Sequence, residues 1–70
     1  MFWWFERSGV YLRCEVLELS KSSYELRVIQ PDGSVQVEVF ADAKALAKRQ
    51  GEVERNLRAE GWTGPHGRVL

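Results

Sequence analysis

Hydrophobic residues alternate with polar residues up to Phe40, and from Ala43 to Leu57 they recur every three or four positions. Alternation with a period of two is typical of a half-buried β-strand, whereas spacings of three and four are typical of an amphipathic helix. The order of the two patterns predicts an α+β fold. We expect a four-stranded antiparallel meander followed by one C-terminal helix that packs on one face of the sheet.

Three of the strands are predicted from the positions of their apolar residues. Even positions are apolar in residues 10–19 and in residues 24–28, whereas odd positions are apolar in residues 35–39. Residues that pair across two strands lie on the same face of a sheet, so a change from even to odd requires a turn with an even number of residues. Asp32 and Gly33 suit a two-residue type I′ turn. The alternative is a three-residue turn with a bulge, over residues 31–33.

The turns fix the expected register and the expected core. Residues 20–22 are predicted to link the second and third strands, and Glu15 and Glu38 are predicted to flank Arg27 on the outward face. Opposite charges at such positions favour one register over a slipped one. The predicted inner core consists of Val10, Leu12, Cys14, Val16, Tyr24, Leu26, Val28, Val35, Val37, Val39, Leu46, Val53, Leu57 and Trp62.

An aromatic segment opens the chain. Residues 2–6 are rich in side chains that favour strands, and Ser8 with Gly9 forms a plausible turn into the next strand, so we expect an N-terminal fourth strand. Successive side chains of a strand point to opposite faces. This strand therefore brings large apolar groups to both faces of the sheet.

The helix has clear signals at both ends. Asp42 is a suitable N-cap, and Gly61 is suited to the left-handed position that ends a helix, with Trp62 packing back on Leu57. Glycine 51 interrupts the helix, which suggests a close approach to the sheet; alternatively, the neighbouring Gln50 presents its amide to a partner. We therefore expect one domain over residues 1–62 and a flexible tail over residues 63–70, unless a partner chain captures Val69 and Leu70.

The composition limits the classes of protein to which this chain could belong. The chain has 70 residues, a single cysteine and a formal net charge of zero, from ten basic and ten acidic side chains. Four basic and six acidic groups give residues 1–41 a charge of −2, so the sheet is not a polyanion-binding block. No signal peptide and no run of about 20 apolar residues is present, which predicts a cytoplasmic protein that does not enter a membrane.

The sequence contains no pattern typical of an enzyme. The only histidine, His66, lies in the predicted tail, and Cys14 lies on an inward face, where cysteine usually acts as a small hydrophobic side chain. A glycine-rich phosphate loop and a cluster of metal-ligating residues are both missing. We therefore expect no catalytic residues, no metal and no cofactor.

The predicted order of four strands and one helix resembles the repeat unit of Whirly-type and transcription-coactivator-type domains that bind single-stranded DNA. That resemblance implies an oligomer whose sheet face contacts nucleic acid through Tyr11, Arg13, Arg27 and one of Trp3 and Trp4. Three carboxylates share this face and disfavour nucleic acid: Glu15, Glu25 and Glu38.

Residues 11–62 also resemble small bacterial proteins of unknown function. The resemblance rests on four short motifs, and it implies no activity. They are Arg13-Cys14-Glu15, Pro31-Asp32-Gly33, Val39-Phe40-Ala41-Asp42 and Gly61-Trp62.

The functional prediction is a small non-catalytic interaction module that forms a homodimer or a higher oligomer. A sheet face opposite the helix would carry more apolar groups than a monomer usually exposes. Single-stranded nucleic-acid binding by the same face is the alternative, and no hetero-partner is indicated. The candidate interface residues are Phe2, Trp3, Trp4, Phe5, Tyr11, Leu17, Leu19, Arg27, Ile29 and Phe40.

Overall fold

A computed structural model of the protein describes residues 1–67 of the chain, which form five strands and one helix. The strands pair antiparallel in one sheet with the order β4-β3-β2-β1-β5. This arrangement confirms the predicted α+β fold and its four-stranded meander. The elements are β1 (Phe2–Arg7), β2 (Val10–Ser20), β3 (Ser23–Ile29), β4 (Val35–Phe40), α1 (Ala43–Ala59) and β5 (Thr63–His66).

The fifth strand replaces part of the predicted tail. Residues 63–66 pair with β1, and the hydroxyl of Thr63 donates a hydrogen bond of 3.1 Å to the carbonyl of Glu6. A Cβ on Gly64 would lie 2.9 Å from a ring carbon of Phe5, so glycine permits this close approach. The predicted capture of Val69 and Leu70 by a partner lies outside the described residues.

The first two turns largely follow the sequence. Ser8 and Gly9 both have positive φ and form the predicted two-residue turn between β1 and β2. In the second hairpin Glu15 pairs with Arg27, as predicted. The predicted loop of residues 20–22 is one residue too long, because β2 continues to Ser20 after a register shift.

The turn between β3 and β4 differs from the first prediction. The amide of Gln30 donates to the carbonyl of Ser34 over 2.8 Å, so the loop contains the three residues 31–33. A type I′ turn would require positive φ at Asp32. Within residues 1–67, however, Ser8 is the only residue other than glycine with positive φ. The prediction of a two-residue turn is therefore wrong, and the three-residue alternative is correct.

One extra residue in the loop turns every side chain of β4 to the opposite face of the sheet. Arg27 lies opposite Val37, and Leu26 lies opposite Glu38, so the predicted pairing of Arg27 with Glu38 is wrong. The predicted placement of three valines in the core is also wrong, because Val35, Val37 and Val39 face away from the helix.

The core lies between the sheet and α1. Trp3 and Phe5 of β1 are almost completely buried beside Leu12 and Cys14 of β2. Val10, which we predicted inside, is exposed. The remaining buried residues are Leu26, Val28, Leu46, Leu57 and Trp62, and the side chains packed around them are Val16, Tyr24, Phe40 and Val53.

Both ends of the helix form as predicted. The carboxylate of Asp42 accepts a hydrogen bond of 2.7 Å from the amide of Ala45. At the other end the amide of Trp62 donates to the carbonyl of Leu57 over 3.0 Å, and Gly61 has φ of 94°, which is a Schellman motif. Within residues 1–67, α1 lacks the combination of length and apolar character that a membrane-crossing helix requires.

Candidate interaction surface

The outer face is the sheet face opposite α1, and the strand register defines its members. Apolar residues of this face lie towards both sides of a charged centre. The apolar and charged residues that the register places on it are Phe2, Trp4, Glu6, Tyr11, Arg13, Glu15, Leu17, Glu25, Arg27, Ile29, Val35, Val37 and Val39.

Aromatic residues form one side of the outer face. The rings of Phe2 and Trp4 stack with centroids 6.4 Å apart, and Phe2 is 52% exposed. Trp4 also lies 6.3 Å from the ring of His66 and contacts the backbone of Gly67 closely enough to exclude a Cβ there. The C-terminal segment thus packs against Trp4 and leaves Phe2 half exposed.

Valines form the other side. Val35, Val37 and Val39 are 51%, 50% and 62% exposed, and Ile29 lies directly opposite Val35. These β-branched side chains favour the strand conformation. Because they remain at least half exposed in the single chain, their burial contributes little to its folding. They form a continuous apolar strip along β4, the edge strand of the sheet.

The centre of the outer face carries two ion pairs. The guanidinium of Arg27 lies 2.9 Å from the carboxylate of Glu25, and that of Arg13 lies 3.8 Å from Glu15. These four groups have a formal charge of zero. Each arginine already forms an ion pair with a neighbouring glutamate, so neither is an unpaired cation available to bind a phosphate group.

The strand register places six of the ten predicted interface residues on the outer face, and Leu19 lies exposed at the register shift of β2; the other three lie elsewhere. Trp3 and Phe5 are buried under the helix, and Phe40 also faces the core because it pairs with Tyr24. Their placement in an interface is therefore wrong. The six that lie on the outer face by register are Phe2, Trp4, Tyr11, Leu17, Arg27 and Ile29.

Sequence reasoning missed the three valines of β4. Their alternation was visible, but it shows only that one face is apolar and not which face that is. The signal that could have located them is Pro31, because proline is favoured at the second position of a type I turn. Such a turn over residues 30–33 leads to the three-residue loop that the structure contains.

A cleft of about 260 Å³ lies between α1 and the inner side of β3 and β4. It exists because Gln36 and Glu38, rather than valines, face the helix. Glu38 accepts a hydrogen bond of 2.9 Å from the Nε of Arg49, which raises the pKa of Arg49 while partial burial opposes the shift. The cleft is lined by Val28, Gln30, Gln36, Glu38, Arg49, Val53, Asn56, Leu57 and Glu60.

The single cysteine and the single histidine of the chain lie in different surroundings. Cys14 is buried in the core, and His66 is exposed, with its Nε2 3.3 Å from the hydroxyl of Thr63. Residues 1–67 contain no group of three or more histidine, cysteine or acidic side chains that could hold a metal ion. Comparisons of the chain with protein-family models, curated proteins and solved structures found no match.

Proposed function

We propose that the protein is a non-catalytic interaction module that self-associates through its outer face. The observation that supports this function is the exposure of Val35, Val37 and Val39 on the same face as Phe2. Monomers rarely expose contiguous apolar patches larger than a few hundred Å². Full burial of one valine side chain contributes roughly 1.5 kcal/mol, so covering this strip is a substantial driving force.

A second copy of the chain is the partner that fits this face best. The two neutral ion pairs of the centre offer equal numbers of arginine and glutamate side chains, so a twofold axis can set each arginine against a glutamate of the other copy. The molecule measures 38 by 21 by 20 Å. Its largest side therefore has a projected area of about 800 Å², similar to the area that each partner contributes to an interface of standard size.

The small size of the domain also favours self-association. A domain of this size removes only about 60% of its unfolded surface from water and has a small margin of stability. Cys14 is the single cysteine of the chain, so an intrachain disulfide cannot add to that margin. Small domains are commonly stabilised by oligomerisation.

The mass in solution tests this function. Light scattering at micromolar concentration should give at least twice the 8.1 kDa of one chain. Val37→Lys should shift the protein towards the monomer, because it places a charge in the valine strip that the proposed interface would bury. Ala59→Lys is the matched control, since Ala59 is an exposed residue of α1, on the opposite side of the sheet. A mass of one chain, or an oligomer that Val37→Lys leaves intact, would contradict the proposal.

Single-stranded nucleic-acid binding is the second candidate function. It is favoured by the aromatic pair of Phe2 and Trp4 and by the guanidinium of Arg13, which lies 5.7 Å from the Phe2 ring centroid. Stacking on aromatic rings beside basic groups is how many proteins hold single strands. The outer face, however, carries three glutamates against two arginines, a formal charge of −1.

Oligonucleotide titrations at two salt concentrations separate the two functions. Labelled single strands should bind no more tightly than millimolar if the outer face serves self-association. Micromolar binding that weakens steeply as salt rises would place nucleic-acid binding first, because phosphate contacts release counterions.

A further inference from the structure

We propose that the free edge of β4 and the neighbouring cleft bind an extended peptide segment in which basic and apolar residues alternate. The segment would join the sheet as a sixth strand, antiparallel to β4. Its basic side chains would enter the cleft, and its apolar side chains would continue the valine strip. The hydrogen bonds and ion pairs of this site come from the edge of β4 and the cleft, so peptide binding does not depend on self-association, although the apolar residues of the peptide would lie beside the valine strip of the outer face.

The edge of β4 has backbone groups available for a new strand. Gln30 and Ser34 form a hydrogen-bonded pair, and such pairs alternate along an antiparallel ladder. Gln36, Glu38 and Phe40 therefore direct their backbone groups to β3, whereas the three valines direct theirs to the free edge. Within residues 1–67 no other strand pairs with β4. Extended peptides are recognised at such edges through main-chain hydrogen bonds.

The cleft lies on the side of the sheet towards which alternate residues of the new strand would point. Its floor is apolar, formed by Val28, Val53 and Leu57. Its volume of about 260 Å³ leaves room for a long side chain. Lysine and arginine suit this shape because their aliphatic stems pack on apolar surface while the charged group reaches a polar rim.

Charge selects a basic side chain. The lining contains two carboxylates, Glu38 and Glu60, and one guanidinium, so its formal charge is −1. Arg49 is occupied by Glu38 at 2.9 Å and by Glu52 at 3.5 Å. The carboxylate of Glu60 takes part in no ion pair within residues 1–67, whereas its backbone carbonyl at the end of the helix accepts a hydrogen bond of 2.9 Å from the guanidinium of Arg7.

Three carboxamides complete the polar rim of the cleft. They belong to Gln30, Gln36 and Asn56. None makes a side-chain hydrogen bond within residues 1–67. Their oxygens can accept hydrogen bonds from an ammonium or guanidinium group.

A peptide fits the edge better than β4 of a second copy does. Strand β4 of another copy would bring its own Gln36 and Glu38 to the helix side, and so add a carboxylate to a cleft that is already negative. An antiparallel peptide with apolar residues opposite the valines avoids this repulsion. The same register places its basic residues opposite Gln36 and Glu38.

Nuclear magnetic resonance of the ¹⁵N-labelled protein tests the site with a synthetic, end-capped heptapeptide of alternating lysine and valine. We expect the largest amide shifts at Val35, Val37 and Val39, with further shifts of the side-chain amides of Gln36 and Asn56. A peptide with glutamate in place of lysine should not bind. Glu60→Gln should weaken the lysine peptide about two- to fivefold, the effect of one partly exposed ion pair, with the protein spectrum otherwise unchanged.

Two further peptides separate strand addition from simple charge attraction. In the proposed register the valine amides of the peptide point to β4 and the lysine amides point away. Methylation of the valine nitrogens should therefore abolish binding, whereas methylation of the lysine nitrogens should leave it. Equal binding of the two methylated peptides, binding of the glutamate peptide, or shifts confined to Phe2 and Trp4 would each overturn the proposal.

Discussion

Asp32 and Gly33 determine which side of β4 faces water. Gly33 has φ of 90° and donates its amide to the carbonyl of Gln30, which closes a turn over residues 30–33 with Pro31 at its second position. The carboxylate of Asp32 accepts a hydrogen bond of 2.9 Å from the amide of Ser34. This bond satisfies the amide that follows the turn and so supports the three-residue loop over a shorter one.

The first prediction concerns the pH dependence of this turn. The hydrogen bond from the Ser34 amide lowers the pKa of Asp32 below its ordinary value. A carboxyl group whose pKa is lowered on folding stabilises the fold above its unfolded pKa, and this contribution is lost as the pH falls through the folded pKa. Titration of the Asp32 carboxyl carbon by nuclear magnetic resonance should give a midpoint below that of an unfolded peptide, and the Ser34 amide should shift with the same midpoint. A midpoint at or above the peptide value would contradict this assignment.

At the level of elements, the helix could be predicted from its own sequence, whereas the alternation of the valines alone could not predict which face of the sheet they occupy in β4. Asp42 and Gly61 act on the backbone within one turn, so their effects depend on local sequence alone. For β4, both turn lengths preserve the alternation of the valines, and they differ only in which face receives them. Strand β5 has no alternation to detect, because Gly64 and Pro65 take half of it. Its pairing depends on contacts with β1 that are distant in sequence.

The same limit applies to the candidate surface. Burial of Trp3 and exposure of Phe2 follow from which face of β1 meets the helix, and two adjacent aromatic residues give no indication of that choice. The cleft could not be predicted from the sequence for a related reason. It forms only because Glu38 turns towards α1, where it meets Arg49.

The second prediction compares two glycines of the helical region. A Cβ on Gly51 would meet nothing closer than the flexible tip of Arg55 at 3.4 Å, so the expected close approach of the helix to the sheet at this glycine is wrong. Gly51→Ala should therefore stabilise the protein by up to about 1 kcal/mol, because glycine is a poor helix former. Gly61→Ala should destabilise it by about 1 kcal/mol, since Gly61 has φ of 94°.

Urea unfolding of both variants measures the two free energies. The pair is its own control, because each variant adds one methyl group to the same region. Equal changes for Gly51→Ala and Gly61→Ala would show that the added methyl group, rather than backbone conformation, determines stability here.

On the scale of the whole molecule, one helix covers one face of a five-stranded sheet. The buried side chains all lie between that face and α1 or at the end of the helix, including Trp62 under the guanidinium of Arg7 at 4.6 Å. The opposite face has no covering layer within residues 1–67. If a second copy covers it, folding and association are coupled, and stability depends on protein concentration.

The last prediction follows from this coupling. A tenfold rise in protein concentration adds about 1.4 kcal/mol to the stability of a dimer, which for two chains of this length raises Tm by about 3–6 °C. The unaltered chain and Ala59→Lys should show this dependence in thermal unfolding between about 2 and 200 μM. Val37→Lys should unfold at one temperature across the range, because its charge opposes burial of the valine strip while its own core is intact. A Tm of the unaltered chain that does not change with concentration would mean that the outer face stays uncovered, and that the core between α1 and the sheet is sufficient for folding.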